Sequence, residues 1–145
     1  MRTIALRFSD GFAPPDGTIS QHKKIIDQIG HAWYGKLGAP ISKDVKNKIL
    51  NTERPRILLI HSGSVDRYWA YIKDVVWEKP AQNEYPNYYA DKADKMNTWF
   101  CLSEITRAPK DILARCRVAS SGTVLSEASR SSMSPYFVID APDED

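Results

Sequence analysis

The stretch RILLIHSGSVDRYWAYIKDVVW (56–77), followed after a polar loop by YPNYY (85–89) and TWFCLSEI (98–105), decides the fold. Its first segment, 56–61, is a short continuous apolar run. The spacing predicts a strand buried on both faces. Residues 68–77 alternate and predict a long strand, with Trp69, Tyr71 and Trp77 on one parity. Residues 99–105 predict another. The His61-Ser62-Gly63-Ser64 loop either joins two antiparallel strands or offers a ligand a close approach, with Gly63 free to take positive φ. Residues 81–97 form a polar loop longer than most in compact domains, and such loops are often functional.

Outward from this stretch, residues 3–8 alternate as a half-buried strand. The Pro/Gly-rich SDGFAPPDG is a loop. Thr18 and Gln21 have capping-box spacing ahead of a helix with Ile25, Ile26 and Ile29 on one face, ended by Gly30. HAWYG (31–35) is a short strand, and Ser42 caps a second helix carrying Val45 and Ile49. Residues 109–113 suggest a helical turn. Shorter strands are expected at 115–118 and 134–139, with an irregular Ser-rich segment at 120–134. Long antiparallel strands with few strand–helix–strand spacings predict an α+β fold, a small mixed or closed β-barrel flanked by helices. No G-x-G-x-x-G motif follows a strand, which argues against a dinucleotide fold.

Length and composition fit one domain over 1–139, with 140–145 as an acidic tail or linker. A chain this long buries roughly two-thirds of its unfolded surface, enough to fold without metal or disulfide. No apolar run approaches membrane-spanning length and no signal-peptide core is present. Cys101 and Cys116 form no C-x-x-C pair and are read as reduced thiols in a cytoplasmic protein. The net charge of +2 conceals four acids in the final DAPDED, so the rest is more basic. Lys23, Lys24, Lys36, Lys43, Lys46 and Lys48 crowd the first third. They suit either a polyanion partner or a solvated helix face.

Candidate chemistry narrows quickly. The only histidines are His22, His31 and His61. None is placed with a serine and a third group as nucleophilic catalysis requires, and no metal-ligand spacing occurs. Asp74, Glu78, Glu84 and Asp91 show no spacing that marks a carboxylate pair. No catalytic residue, metal or cofactor is assigned. The aromatics carry more: Trp33, Tyr34, Trp69, Trp77, Tyr85, Tyr88, Tyr89 and Trp99 gather at strand ends and loops. Each alone fits a core, but together they suit a pocket that holds a planar base by stacking. Asn87 and Asn97 are candidate readers of its edge, and Lys36, Arg54, Arg56 and Arg67 candidate phosphate contacts.

The segments ILLIHSG, YWAYIKDVVW, YPNYY and TWFCLSEI, with Trp33 and Gly35-Lys36 upstream, resemble the EVE branch of the PUA-like superfamily, related to YTH and ASCH domains. The resemblance covers residues 30–138. It implies a barrel of five or six strands with peripheral helices, and a non-catalytic reader of a modified base in nucleic acid, DNA favoured over RNA. YTH relatives hold N6-methyladenine in an aromatic cage. EVE domains are often fused to nucleases that restrict modified DNA, which implies an effector domain, fused or associated, and a role in defence. By position the pocket would comprise Trp33, Tyr34, His61, Ser62, Gly63, Trp69, Tyr88, Tyr89 and Trp99. The alternatives are a sensor of a free nucleotide signal or a small nuclease or hydrolase.

Overall fold

The computed structural model describes residues 1–144. Seven strands form one sheet in the order β2-β5-β4-β3-β1-β7-β6. They are β1 (Arg2–Phe8), β2 (Ala32–Lys36), β3 (Arg56–His61), β4 (Arg67–Val76), β5 (Thr98–Arg107), β6 (Arg117–Val118) and β7 (Tyr136–Asp140). Three helices flank it: α1 (Gly17–Ile29), α2 (Lys43–Leu50) and α3 (Leu125–Ser131). β1 and β3 are parallel and every other strand pair is antiparallel. The fold is α+β and mostly antiparallel, as expected. It has seven strands rather than five or six, and the pairing leaves β2 and β6 as edges instead of closing a barrel.

Alternation explains why β3 is apolar from Ile57 to Ile60. Ile57 and Leu59 enter one core with Ile4, Leu6, Phe8, Ile72, Phe100 and Leu102, beneath Ile26 of α1 and Ile49 of α2. Leu58 and Ile60 enter another with Ala5, Trp69, Ile112, Leu125 and Ile139. A strand with helices on both faces has no polar side. The same holds for β1, which was expected to be half-buried but is buried along both parities. A third cluster, Tyr85, Tyr89, Ala93, Met96 and Trp99, lies under the connection from β4 to β5. That connection is three 3₁₀ turns (Gln82–Glu84, Asn87–Tyr89, Ala93–Lys95) packed on their own aromatics, rather than an open polar loop.

Several local expectations are corrected. Thr18 is no cap: it lies inside α1, and its backbone N–H is satisfied at 2.9 Å by Asp10 Oδ1 from the loop before the helix. A side chain eight residues upstream thus replaces the local capping box, while Gln21 turns to Asp16. Gly30 ends α1 at φ 90° and Ser42 caps α2 through Val45 N–H, both as expected. The Ser-rich segment contains α3, held by Arg7, whose guanidinium donates to the carbonyls of Ser129 and Ser132 at its C-terminal end. Gly63 is not among the positive-φ glycines. Trp77 does not share a face with Trp69, because register shifts around Ile72 reverse the parity of β4. Trp77 donates to Ile41 O beside α2, whereas Trp69 is buried on the opposite face.

The boundary expected after residue 139 falls within β7, and Asp140 there accepts from Arg2 Nε at 2.7 Å. Ala141 is buried and its N–H donates to Met1 O. Asp143 pairs with the Met1 ammonium at 3.2 Å. Asp145, the last residue of the expected tail, lies outside the described residues.

Candidate nucleic-acid interface

Three segments meet around a cavity of 280 Å³. The C-terminal half of β1 and the loop after it contribute Leu6, Arg7, Phe8, Ser9 and Phe12. The end of β2 contributes Tyr34, Gly35, Lys36 and Leu37. The connection before β5 contributes Tyr88, Tyr89, Lys92 and Met96, and Thr18 and Pro135 complete the wall. Gly35 is required for the close approach. A Cβ there would overlap Met96 Sδ and lie 3.0 Å from Trp99 Cζ3.

The polar groups of the wall, and His22 behind it, are ordered. His22 Nδ1 lies 2.8 Å from Thr18 O, and its Nε2 lies 3.1 Å from the Tyr89 hydroxyl. A carbonyl can only accept, so Nδ1 carries the proton and Nε2 accepts from Tyr89. Burial drives the His22 pKa down to about 4, so the ring is neutral at pH 7. Burial also raises the pKa values of Tyr34, Tyr88 and Tyr89, which therefore remain protonated. Lys36 is 6% exposed. Its ammonium donates to Leu37 O at 3.0 Å and Ala39 O at 2.5 Å, and sits 4.7 Å from the Tyr136 ring centroid. Burial lowers its pKa. Lys92 Nζ lies 2.9 Å from the Phe12 ring centroid.

Of the residues named from sequence, Tyr34, Tyr88, Tyr89 and Lys36 meet at this cavity. His61 lines an adjoining cavity of 270 Å³ that shares Phe8 and Thr18 with the first. There His61 Nε2 donates to Asp10 Oδ2 at 2.7 Å, and Nδ1 accepts from Gly63 N–H. Burial pushes the Asp10 pKa up, but hydrogen bonds from Thr18 and His61 outweigh it and leave the carboxyl below its usual range. Arg107 closes this second space, donating to Asp66 at 2.5 Å.

The other named residues lie elsewhere. Trp33 flanks the third cluster and donates to Glu84, which also accepts from His31 at 2.5 Å. The His31 hydrogen bond is the main cause that lowers the Glu84 pKa. Trp99 is fully buried behind Gly35, and Trp69 lies in the core across the sheet under Arg56, whose Cζ is 3.8 Å from its ring centroid. Ser62 and Gly63 lie in the β3–β4 turn, where Ser62 N–H donates to Phe8 O.

Arg54 and Arg56 are at the N-terminal end of β3, whereas the cavity opens at the C-terminal end of the parallel β1. Arg54 pairs with Glu104, Arg56 donates to Pro142 O, and Arg67 donates to Val65 O. Asn87 is exposed outside the lining, and Asn97 donates to Gly38 O. Sequence reasoning missed Phe8, Phe12, Thr18, Lys92 and Met96. An aromatic isolated among turn residues, Phe12 in SDGFAPPDG, was the available signal.

Among models of protein families, the one described as Pua-like matches residues 4–134. No curated protein and no solved structure matches the chain.

Proposed function

The chain belongs to the PUA-like family, and from that premise we propose that it is a non-catalytic reader whose cavity receives one modified base of a nucleic acid, DNA in preference to RNA. The family is one of nucleic-acid-binding domains. What carries the proposal here is the wall itself: Tyr34, Tyr88, Tyr89, Phe8 and Phe12 around a space of 280 Å³, with Lys36 and Lys92 in the same lining. Aromatic rings stack on a base whatever its identity, hydroxyls read its edge, and ammonium groups hold the flanking phosphates. Lys36 belongs to this cavity, whereas Arg54 and Arg56 are too far along β3 to serve it and Arg67 lies outside its lining. A fused or associated effector domain, and a role in restriction or defence, follow from the resemblance to EVE domains alone.

The test is anisotropy binding to short single strands and duplexes with unmodified cytosine, 5-methylcytosine, 5-hydroxymethylcytosine or N6-methyladenine, at two salt concentrations. Preference for one modification, with affinity falling as salt rises, is expected. Equal binding to all four would reject base reading. The second possibility is a free-nucleotide sensor. It is favoured by Lys36, whose ammonium is nearly enclosed rather than displayed along a groove. In that case mononucleotides would compete as well as oligonucleotides do.

A further inference from the structure

We propose that Phe12, assisted by Leu37, is an apolar wedge that enters a duplex where the base received by the cavity has left the stack. This rests on the base-reading function proposed above and adds that the protein opens double-stranded substrate itself. A stacked base cannot reach a walled cavity. Extruding it costs a few kcal/mol and leaves a gap, which an inserted apolar side chain fills.

The cavity mouth has the parts this requires. Phe12 is 70% exposed and belongs to none of the three core clusters, yet it lines the cavity. Leu37 is 44% exposed and lines it from β2. The large apolar side chains exposed among the described residues are Phe12, Ile29, Leu37, Val65 and Met133, so two of them converge on one opening.

The Phe12 loop is stiff. Ala13 N–H donates to Asp10 O at 3.1 Å, Gly17 N–H to Pro14 O at 2.9 Å, and Pro14 and Pro15 fix their own φ. Asp10 further ties the loop to Thr18 and His61. A stiff support lets an exposed ring act without first becoming ordered. Lys92, with its ammonium over the Phe12 ring, has no ion-pair partner among the described residues and is placed to meet a phosphate beside the inserted ring. A reader of single strands alone has no gap to fill and gains nothing from such a side chain.

The experiment compares the chain with Phe12→Ala and Phe12→Leu on the four oligonucleotides named above, each as single strand and duplex, with 2-aminopurine next to the test base. The original chain is expected to bind the preferred duplex and raise 2-aminopurine fluorescence through unstacking. Phe12→Ala is expected to lose at least about tenfold in duplex affinity, together with the fluorescence rise. Its single-strand affinity should fall far less, because there it loses only one ring of the cavity wall, and Phe12→Leu should retain duplex binding. Unchanged thermal midpoints would show that both variants fold. Equal losses on single strand and duplex, or no loss on either, would overturn the wedge while leaving base reading intact. If the original chain binds none of the oligonucleotides, base reading fails and the wedge fails with it.

Discussion

The Tyr89 hydroxyl donates to His22 Nε2 at 3.1 Å across 67 residues of sequence, tying the connection before β5 to α1 through a ring that is neutral at pH 7. Unfolded, His22 takes a second proton near its ordinary 6.5, whereas in the fold it does so only near 4. Between these values the unfolded chain binds more protons. The His22 contribution is therefore intact above pH 6.5 and lost progressively toward pH 4, by about 3 kcal/mol in all. Urea midpoints measured across that window should fall with pH in the original chain and fall less steeply in His22→Gln. Equal slopes would mean that His22 is not the titrating group.

Gly35→Ala should destabilise the fold by about 1–3 kcal/mol, because the new methyl meets Met96 and Trp99 in a packed cluster. Met96→Ala removes the closer of the two obstacles. A double-mutant cycle read from denaturant midpoints should therefore show Gly35→Ala costing less in the Met96→Ala background. Strict additivity would place the strain elsewhere.

Tyr88→Ala and Trp99→Ala should behave differently although both aromatics belong to one neighbourhood. Tyr88 lines the cavity and is only partly buried, so its loss should cost about 1–3 kcal/mol of base binding with little change in stability. Trp99 is fully buried and outside the lining, so its loss should cost about 3–5 kcal/mol of stability. Thermal midpoints beside binding isotherms separate the two effects. Full stability with lost recognition in Trp99→Ala would return that side chain to the site.

Lys92→Gln should weaken binding to modified and unmodified oligonucleotides alike and lower the slope of log affinity against log salt by about 1. Its ammonium sits over the exposed Phe12 ring. A change in preference among bases, with the slope unaltered, would instead make Lys92 a base contact.

What the sequence made legible were features encoded over a few residues. The β3 run, the Ser42 cap and the Gly30 stop each depend on neighbours within one turn or one strand. Distant partners hid the rest. Asp10 caps α1 from outside any local motif, and the β4 bulge separates Trp77 from Trp69 in a way that strict alternation cannot foresee. At the site, aromatic content pointed to Tyr34, Tyr88 and Tyr89 but also to Trp69 and Trp99, because composition does not distinguish a ring that lines a space from one that fills it. Phe12 and Lys92 were harder to find for a different reason: they stand in loops far apart in the sequence, and only the fold brings them together.

β1 has partners on both sides that the ribosome delivers at very different times. β3 begins at Arg56, whereas β7 begins only at Tyr136. Until β7 emerges, β1 is a bare edge open to pairing with another nascent chain. Pro135, which precedes β7 and accepts from Arg7 N–H, is also missing from the cavity wall until then. The cavity wall is thus complete only once residue 135 has been made, and a chain stalled before it would present an aggregation-prone strand beside an unfinished cavity.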